Sequence, residues 1–252
     1  MEEIKNQCDV TRRVFHANIE SVKELINFDK LLLNTTILSL ENLVDDLKRV
    51  KGIMAPHLTA EGTLKQLKNI KENKSLEIHY QKIYNSCLVL LVSYFTSAVS
   101  EIFRECVKVV VLNRDRQDIE KEEIKLSLGE LKAMNFNLSE SIGTLIINKN
   151  DFSFQDMQSI SKAFKTYFGV EIEKNDKTND IILAHACRHI IVHTDGRVNE
   201  KTIRMTKHAF PRAVKSVLTD GEIVQFTPED LDAVAASMKE YLASLAAKLS
   251  AV

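Results

Sequence analysis

Residues 75–112 contain no Gly or Pro and repeat apolar side chains every three to five positions: Ile78, Ile83, Cys87, Leu91, Phe95, Ala98, Ile102, Cys106 and Val109. That recurrence follows the roughly 3.6-residue turn of a helix, not the alternation of a strand. One long helix is the only regular element that accommodates it. Its most apolar stretch, residues 87–99, is interrupted by Ser and Thr and closed by Glu101 and Arg104. A membrane span needs about 20 apolar residues, so we read this stretch as a buried helix of a soluble protein.

The same scarcity of breakers holds throughout, with 7 Gly and 3 Pro in 252 residues. An all-β chain needs many more turn residues. We therefore predict an all-α, up-and-down helical bundle. Residues 3–51 carry two apolar stripes: Val14, Ile19, Val22, Leu25 and Ile26, then Leu38, Leu40, Leu43, Val44 and Leu47. These predict a helical hairpin, or one long helix bent near Phe28 and Asp29, with Gly52 and Pro56 as breaks. Further helices are expected over 61–71, 139–147, 153–168 with Gly169 as C-cap, and 200–210 with Pro211 as its limit. Residues 72–74 read as a polar link and 113–125 as a charge-dense solvated segment. Residues 214–226, with Asp220-Gly221 inside, can close a small β-hairpin. Thr227-Pro228-Glu229-Asp230 is a helix start, with an N-cap Thr, Pro at the first position and acids in the first turn. We divide the chain into an N-terminal helical extension, 1–75, and a helical domain, 76–252.

Formal net charge is -1. This excludes a globally basic nucleic-acid binder but leaves room for a local basic patch. The four cysteines, at 8, 87, 106 and 187, form no C-x-x-C pair. They fit reduced thiols of a cytoplasmic protein. The first residues are charged and show no apolar signal segment.

The helix expected over 181–193, capped by Asn179 or Asp180 and stopped at Gly196, is apolar around most of its circumference. Its polar exceptions are His185, Arg188, His189 and His193, which share a sector of roughly 140°. A buried helix with one polar strip turns that strip towards a cleft, a partner chain or solvent. An Arg followed five residues later by His is by itself a common pattern. The helical setting is what gives it weight.

Arg188, a polar residue, the apolar Ile190-Ile191-Val192 and then His193 resemble the Arg-x4-His motif of the HEPN superfamily. Thr194-Asp195-Gly196-Arg197-Val198 is similar to the family's continuation. The long helix from Tyr84 to Phe103, the turn at Gly221 and the Thr227-Pro228 cap resemble its core and closing segments. The resemblance covers roughly residues 76–250. It implies a metal-independent endoribonuclease that leaves 2',3'-cyclic phosphate and 5'-hydroxyl ends and uses no cofactor. His193 would act as general base or acid, and Arg188 would hold the scissile phosphate bidentately. His189 would either orient His193 or contact phosphate. Residues five apart on a helix stand about 140° from each other. One phosphate is therefore served more readily by a homodimer in which two motif helices face each other, as the family commonly has. The resemblance further implies a toxin or antiviral-defence effector restrained by a neutralising partner, as in toxin–antitoxin pairs.

Lys201, Arg204 and Lys207, with Arg197 before them and Arg212 after, are candidates for an RNA-backbone rail. The competing readings are a non-catalytic HEPN-like module that binds a partner protein or nucleotide, and a structural protein working through residues 3–51. A metal site is disfavoured: His185, His189 and His193 spread over two turns, and there is no H-E-x-x-H. Gly-rich phosphate loops, a G-x-S-x-G elbow and zinc-finger spacing are all absent from the sequence.

Overall fold

A computed structural model describes residues 2–49, 54–73, 76–113, 121, 123–215 and 217–251. The helices are α1 (Glu2–Arg49), α2 (Met54–Glu72), α3 (Glu77–Asn113), α4 (Leu128–Ala133), α5 (Leu138–Asn150), α6 (Met157–Phe168), α7 (Asp176–Thr194), α8 (Glu200–Thr206) and α9 (Pro228–Leu249). The architecture is all-α, with no strand among the described residues.

The long periodic helix is the centre of the bundle. Along α3, Cys87, Leu88, Leu91, Phe95, Val99, Ile102, Phe103 and Cys106 are fully buried. Helices α1, α5, α6, α7 and α9 all pack on it. By length and composition His79–Leu112 would suffice to cross a membrane, yet much of its apolar surface is taken up by those neighbours. Asn85 ties it to the start of α9: its amide donates to the Val224 carbonyl at 3.0 Å and accepts from the Phe226 N–H at 3.4 Å. Helix α5 approaches α3 backbone to backbone at Gly143, where a Cβ would stand 2.4 Å from the Arg104 carbonyl oxygen.

Residues 2–49 form one helix of 48 residues, about 70 Å long at about 1.5 Å per residue. With no Gly or Pro inside it, nothing interrupts the ladder at Phe28 and Asp29. Its core stripe is Ile4, Cys8, Phe15, Ile19, Val22 and Ile26, continued by Ile37 and Val44. Val14, Leu25, Leu38 and Leu43, expected on the buried stripes, are exposed. The helical period holds there, but the buried face is narrower than the expected stripes. The first half of α1 shares the core of α3, α7 and α9; α2 packs along α1. Helix α2 begins earlier than expected and holds Pro56 in its first turn, where a missing N–H costs no helical bond. Gly52, part of the 72–74 link and most of the 113–125 segment lie outside the described residues.

Phe103 is the hub of an aromatic cluster. The rings of Phe152, Phe154, Phe164, Tyr167 and Phe168 stand 5.3–5.7 Å from it, mostly edge-on. Such pairs add about 0.5–1.5 kcal/mol each beyond area burial. The cluster anchors the connection between α5 and α6 against α3, and with it one wall of the candidate site. Helix α4, unforeseen, starts at a capping box in which Ser127 and Glu130 satisfy each other's backbone N–H groups.

Among the described residues of 214–226 the expected hairpin is not formed. Asp220-Gly221 does turn, with Gly221 at φ +80°, but the segment docks on residues 196–198. The Val198 N–H donates to Glu222 O at 2.8 Å, the Gly221 N–H to Val198 O at 3.0 Å and the Val224 N–H to Gly196 O at 2.9 Å. An isolated antiparallel bridge joins Arg197 and Ile223. The end of the motif helix supplies the pairing partner that the turn residues alone did not specify.

Candidate functional site

Helix α7 starts at Asp176, with Asn175 as N-cap accepting from the Thr178 N–H at 2.9 Å. The expected caps lie inside the helix and work differently. Asn179 donates to the Pro211 carbonyl at 2.8 Å. Asp180 is buried and accepts from the N–H groups of Ala213 (3.0 Å) and Val214 (3.1 Å) and from the Ser237 hydroxyl (3.0 Å). These bonds fix the 209–214 loop and α9 to the motif helix. At the other end Asp195, not Gly196, is the left-handed C-cap, and Gly196 follows at φ +77°.

The polar strip of α7 grades from core to surface. His185 is buried, Arg188 half-buried, and His189 and His193 are exposed. His185, Arg188 and His189 open into a cleft of about 510 Å³ between α3, the 152–156 segment, α7 and α8. Lys201 joins them from α8. Opposite stand the hydroxyls of Ser93, Thr96, Ser97 and Ser100 on α3. His193 sits one turn beyond His189, outside the cleft lining, with the two rings 4.7 Å apart. The four residues of the strip thus form a continuous line, but Arg188 and His193 occupy its two sides, as their five-residue spacing requires.

The cleft wall includes Phe154 at φ +51°. A left-handed aromatic residue is uncommon; here its buried ring packs against Phe103 and Phe152. A second cavity of about 1120 Å³, lined also by His208, Phe210 and Arg212, meets the first at His185, Asp156 and Met205.

Of the expected rail, Lys201 faces the cleft. Arg204 on α8 and Lys207 at its C-cap are exposed, away from the cleft lining. Arg197 is engaged structurally, donating to the Gly221 carbonyl at 2.7 Å. Arg212 donates to the Lys215 carbonyl at 2.8 Å, with weaker bonds to those of Thr206 and Ala209, and stacks over Phe210 at 4.2 Å. Sequence reasoning missed the α3 hydroxyls and Asp156. The hydroxyls recur at helical spacing on the face left between the apolar positions, a signal present in the sequence.

Burial works against the charged forms of His185 and His189. Desolvation lowers the His189 pKa, and the neighbouring His193, Lys201 and Arg188 push the same way. Burial depresses His185 to about 4; the Asp156 charge and the Gln155 backbone oppose the shift, and Arg188 adds to it. Cys187 faces the core and burial pushes its thiol up to about 12, which makes it a poor nucleophile. The described residues contain no cluster of three or more His, Cys, Asp or Glu that would hold a metal ion.

The His185 shift predicts acid sensitivity. Its folded pKa lies below the unfolded value of 6.5, so neutral His185 contributes fully above pH 6.5. That contribution is lost as pH falls through about 4. The shift corresponds to about 3 kcal/mol. Urea denaturation of wild type and His185→Phe should diverge by this order between pH 7 and pH 4, with the variant losing less. Parallel pH profiles would refute a buried neutral histidine.

No protein-family model, curated protein or solved structure matches this chain.

Proposed function

We propose that the chain is a metal-independent endoribonuclease of HEPN type, acting as a homodimeric toxin or defence effector in the cytoplasm and restrained by a neutralising partner. The observation that carries this reading is the opening of the α7 polar strip, with Arg188 and His189, into a cleft that also receives Lys201, while the His193 ring lies tilted against that of His189 at the rim. A strand of RNA along this line meets two cations and two imidazoles in succession.

The chemistry is transesterification. The ribose 2'-oxygen attacks the adjacent phosphorus and gives its proton to an imidazole, for which His193 is the exposed candidate. The bond from phosphorus to the 5'-oxygen breaks, and that oxygen takes up the proton that the imidazole gained in the first step. The products are a 2',3'-cyclic phosphate and a 5'-hydroxyl. Arg188 and Lys201 stabilise charge on the phosphoryl oxygens. His189 is positioned to orient His193.

The deciding experiment is incubation of labelled RNA with wild type and His193→Ala. Wild type is expected to cleave in the presence of EDTA, the variant at least about a hundredfold more slowly. Expression should arrest growth only with the wild type. Absence of cleavage by both would favour the alternative, a non-catalytic HEPN-like binding module. That alternative draws on the exposed apolar residues Val10, Val14, Leu25, Phe28 and Leu32, which recur along one outer face of α1.

A further inference from the structure

The face of α1 turned away from the bundle carries an uncovered apolar strip. Val10, Val14, Leu25, Phe28, Leu32 and Leu43 are 42–59% exposed, and at about 100° per residue all six fall within a sector of about 60°. The positions between them on the strip, 17, 21, 35 and 39, are Ala, Ser, Thr and Ser, all exposed and uncharged. The strip stands about 120° round the helix from the buried stripe. Helix α2 sits on the opposite side, held by Lys48–Glu61 and Lys68–Glu41 ion pairs at 3.0 and 2.7 Å. Beyond Ile26 the buried residues of α1 are Ile37 and Val44, neither of them in the main core. A helix owes most of its stability to the packing of its apolar faces, so this outer half, with a second apolar face open, is short of a partner. Exposed apolar patches of this length mark interaction sites.

The order of residues along the strip selects that partner. Leu25 lies three residues before Phe28 and Leu32 four after it; Val14 lies fourteen before and Leu43 fifteen after. The strip is therefore complementary to itself when reversed. We propose that it is the interface of a homodimer, packed antiparallel against the same strip of a second copy with the twofold axis beside Phe28. Leu25 then meets Leu32 of the other copy, Val14 meets Leu43, and Phe28 meets its own equivalent. Each contact except the last occurs twice, as an isologous interface requires. The exposed Arg13 of one copy comes to the exposed Asp46 of the other at both ends; a parallel pair would set Arg13 against Arg13 and Asp46 against Asp46. From Val10 to Leu43 the strip runs about 50 Å, and at about 10 Å wide it buries about 500 Å² per copy. The total, about 1,000 Å², is at the lower limit of a specific interface, so association belongs to the micromolar range. No residue of the strip lies on α7, and the contact rests neither on the ribonuclease reading nor on the pairing of motif helices.

The test has two arms. Sedimentation velocity of the full chain over about 1–100 μM should show reversible association of the 28.6 kDa chain. Phe28→Glu brings two carboxylates together at the axis and should weaken that association at least about thirtyfold. Phe28 is 59% exposed, so the variant should keep the helicity of the wild type by circular dichroism. The second arm reads orientation. Under copper-phenanthroline and air, a mixture of Val14→Cys and Leu43→Cys should form a disulfide between chains, and either variant alone should not. The four native cysteines are buried and give no background. A wild type that stays monomeric over the whole range would overturn the proposal, as would a Phe28→Glu protein that associates as strongly as the wild type. A disulfide from Val14→Cys alone, or none from the mixture, would overturn it equally.

Discussion

Asp180→Ala should destabilise the protein by about 3–5 kcal/mol, lowering the thermal midpoint by about 10 °C. Asp180 is 1% exposed and its carboxylate accepts from two backbone N–H groups and one hydroxyl, all at 3.0–3.1 Å. Alanine removes the acceptor and leaves the Ala213 and Val214 N–H groups facing an apolar interior, each bearing its own desolvation cost. Asp180→Asn keeps one oxygen for the two N–H groups, and the Ser237 hydroxyl can rotate to accept from the new amide. Its cost should be about 1–2 kcal/mol. Urea denaturation of the three proteins checks the order; equal stabilities would mean that the 209–214 loop is held by something other than Asp180. Because that loop lines the cavity beside the cleft, Asp180→Ala should also weaken ligand binding below its melting temperature.

What was legible in the sequence follows the reach of local rules. The period of α3, the Gly169 stop of α6 and the Thr227-Pro228 start of α9 depend on residues within one or two turns, and each stands as read. Asn179 and Asp180 show where that reach ends. Both are good caps by residue type, but an equally good cap at Asn175 starts the helix a turn earlier. The two then face the interior, where Pro211, Ala213, Val214 and Ser237 claim their polar atoms. Those partners are more than 30 residues away and no local pattern announces them. The 214–226 segment fails for the same reason: Asp220-Gly221 specifies a turn, whereas the end of α7 decides which strand-like backbone it pairs with.

The candidate site divides likewise. The strip of Arg188, His189 and His193 is a property of one helix, so residue spacing alone reveals it. The depth at which each residue lies is a property of the fold. It separates His185, buried with an unpartnered Nε2, from His193 at the rim. Asp156 reaches the cleft only because the Phe103 cluster carries the α5–α6 connection over α3. Arg197 illustrates the opposite outcome, a cation that looked like part of an RNA rail and is occupied by the Gly221 carbonyl.

Arg188→Ala should lower kcat/KM for RNA cleavage by about 10²–10³-fold, and Arg188→Lys should recover only part of it. Lysine restores the charge but not the planar fork that grips two phosphoryl oxygens. The more informative experiment mixes variants. Arg188 lines the cleft while His193 lies outside it, and about 140° of helix rotation separates them. If one phosphate is served by Arg188 of one copy and His193 of another, a mixed dimer of Arg188→Ala and His193→Ala contains one doubly altered site and one intact site. Equal mixing with free exchange makes half of the dimers mixed, so cleavage should return to about a quarter of the wild-type rate. If both residues act within one chain, every site in the mixture lacks one of them and nothing is restored. Each variant alone should show the same melting temperature as the wild type, since Arg188 is half-buried and His193 exposed, so that lost activity reports chemistry and not unfolding. Recovery in the mixture ties catalysis to association of two motif helices; its absence, with active wild type, confines the chemistry to the single-chain line from Arg188 through His189 to His193.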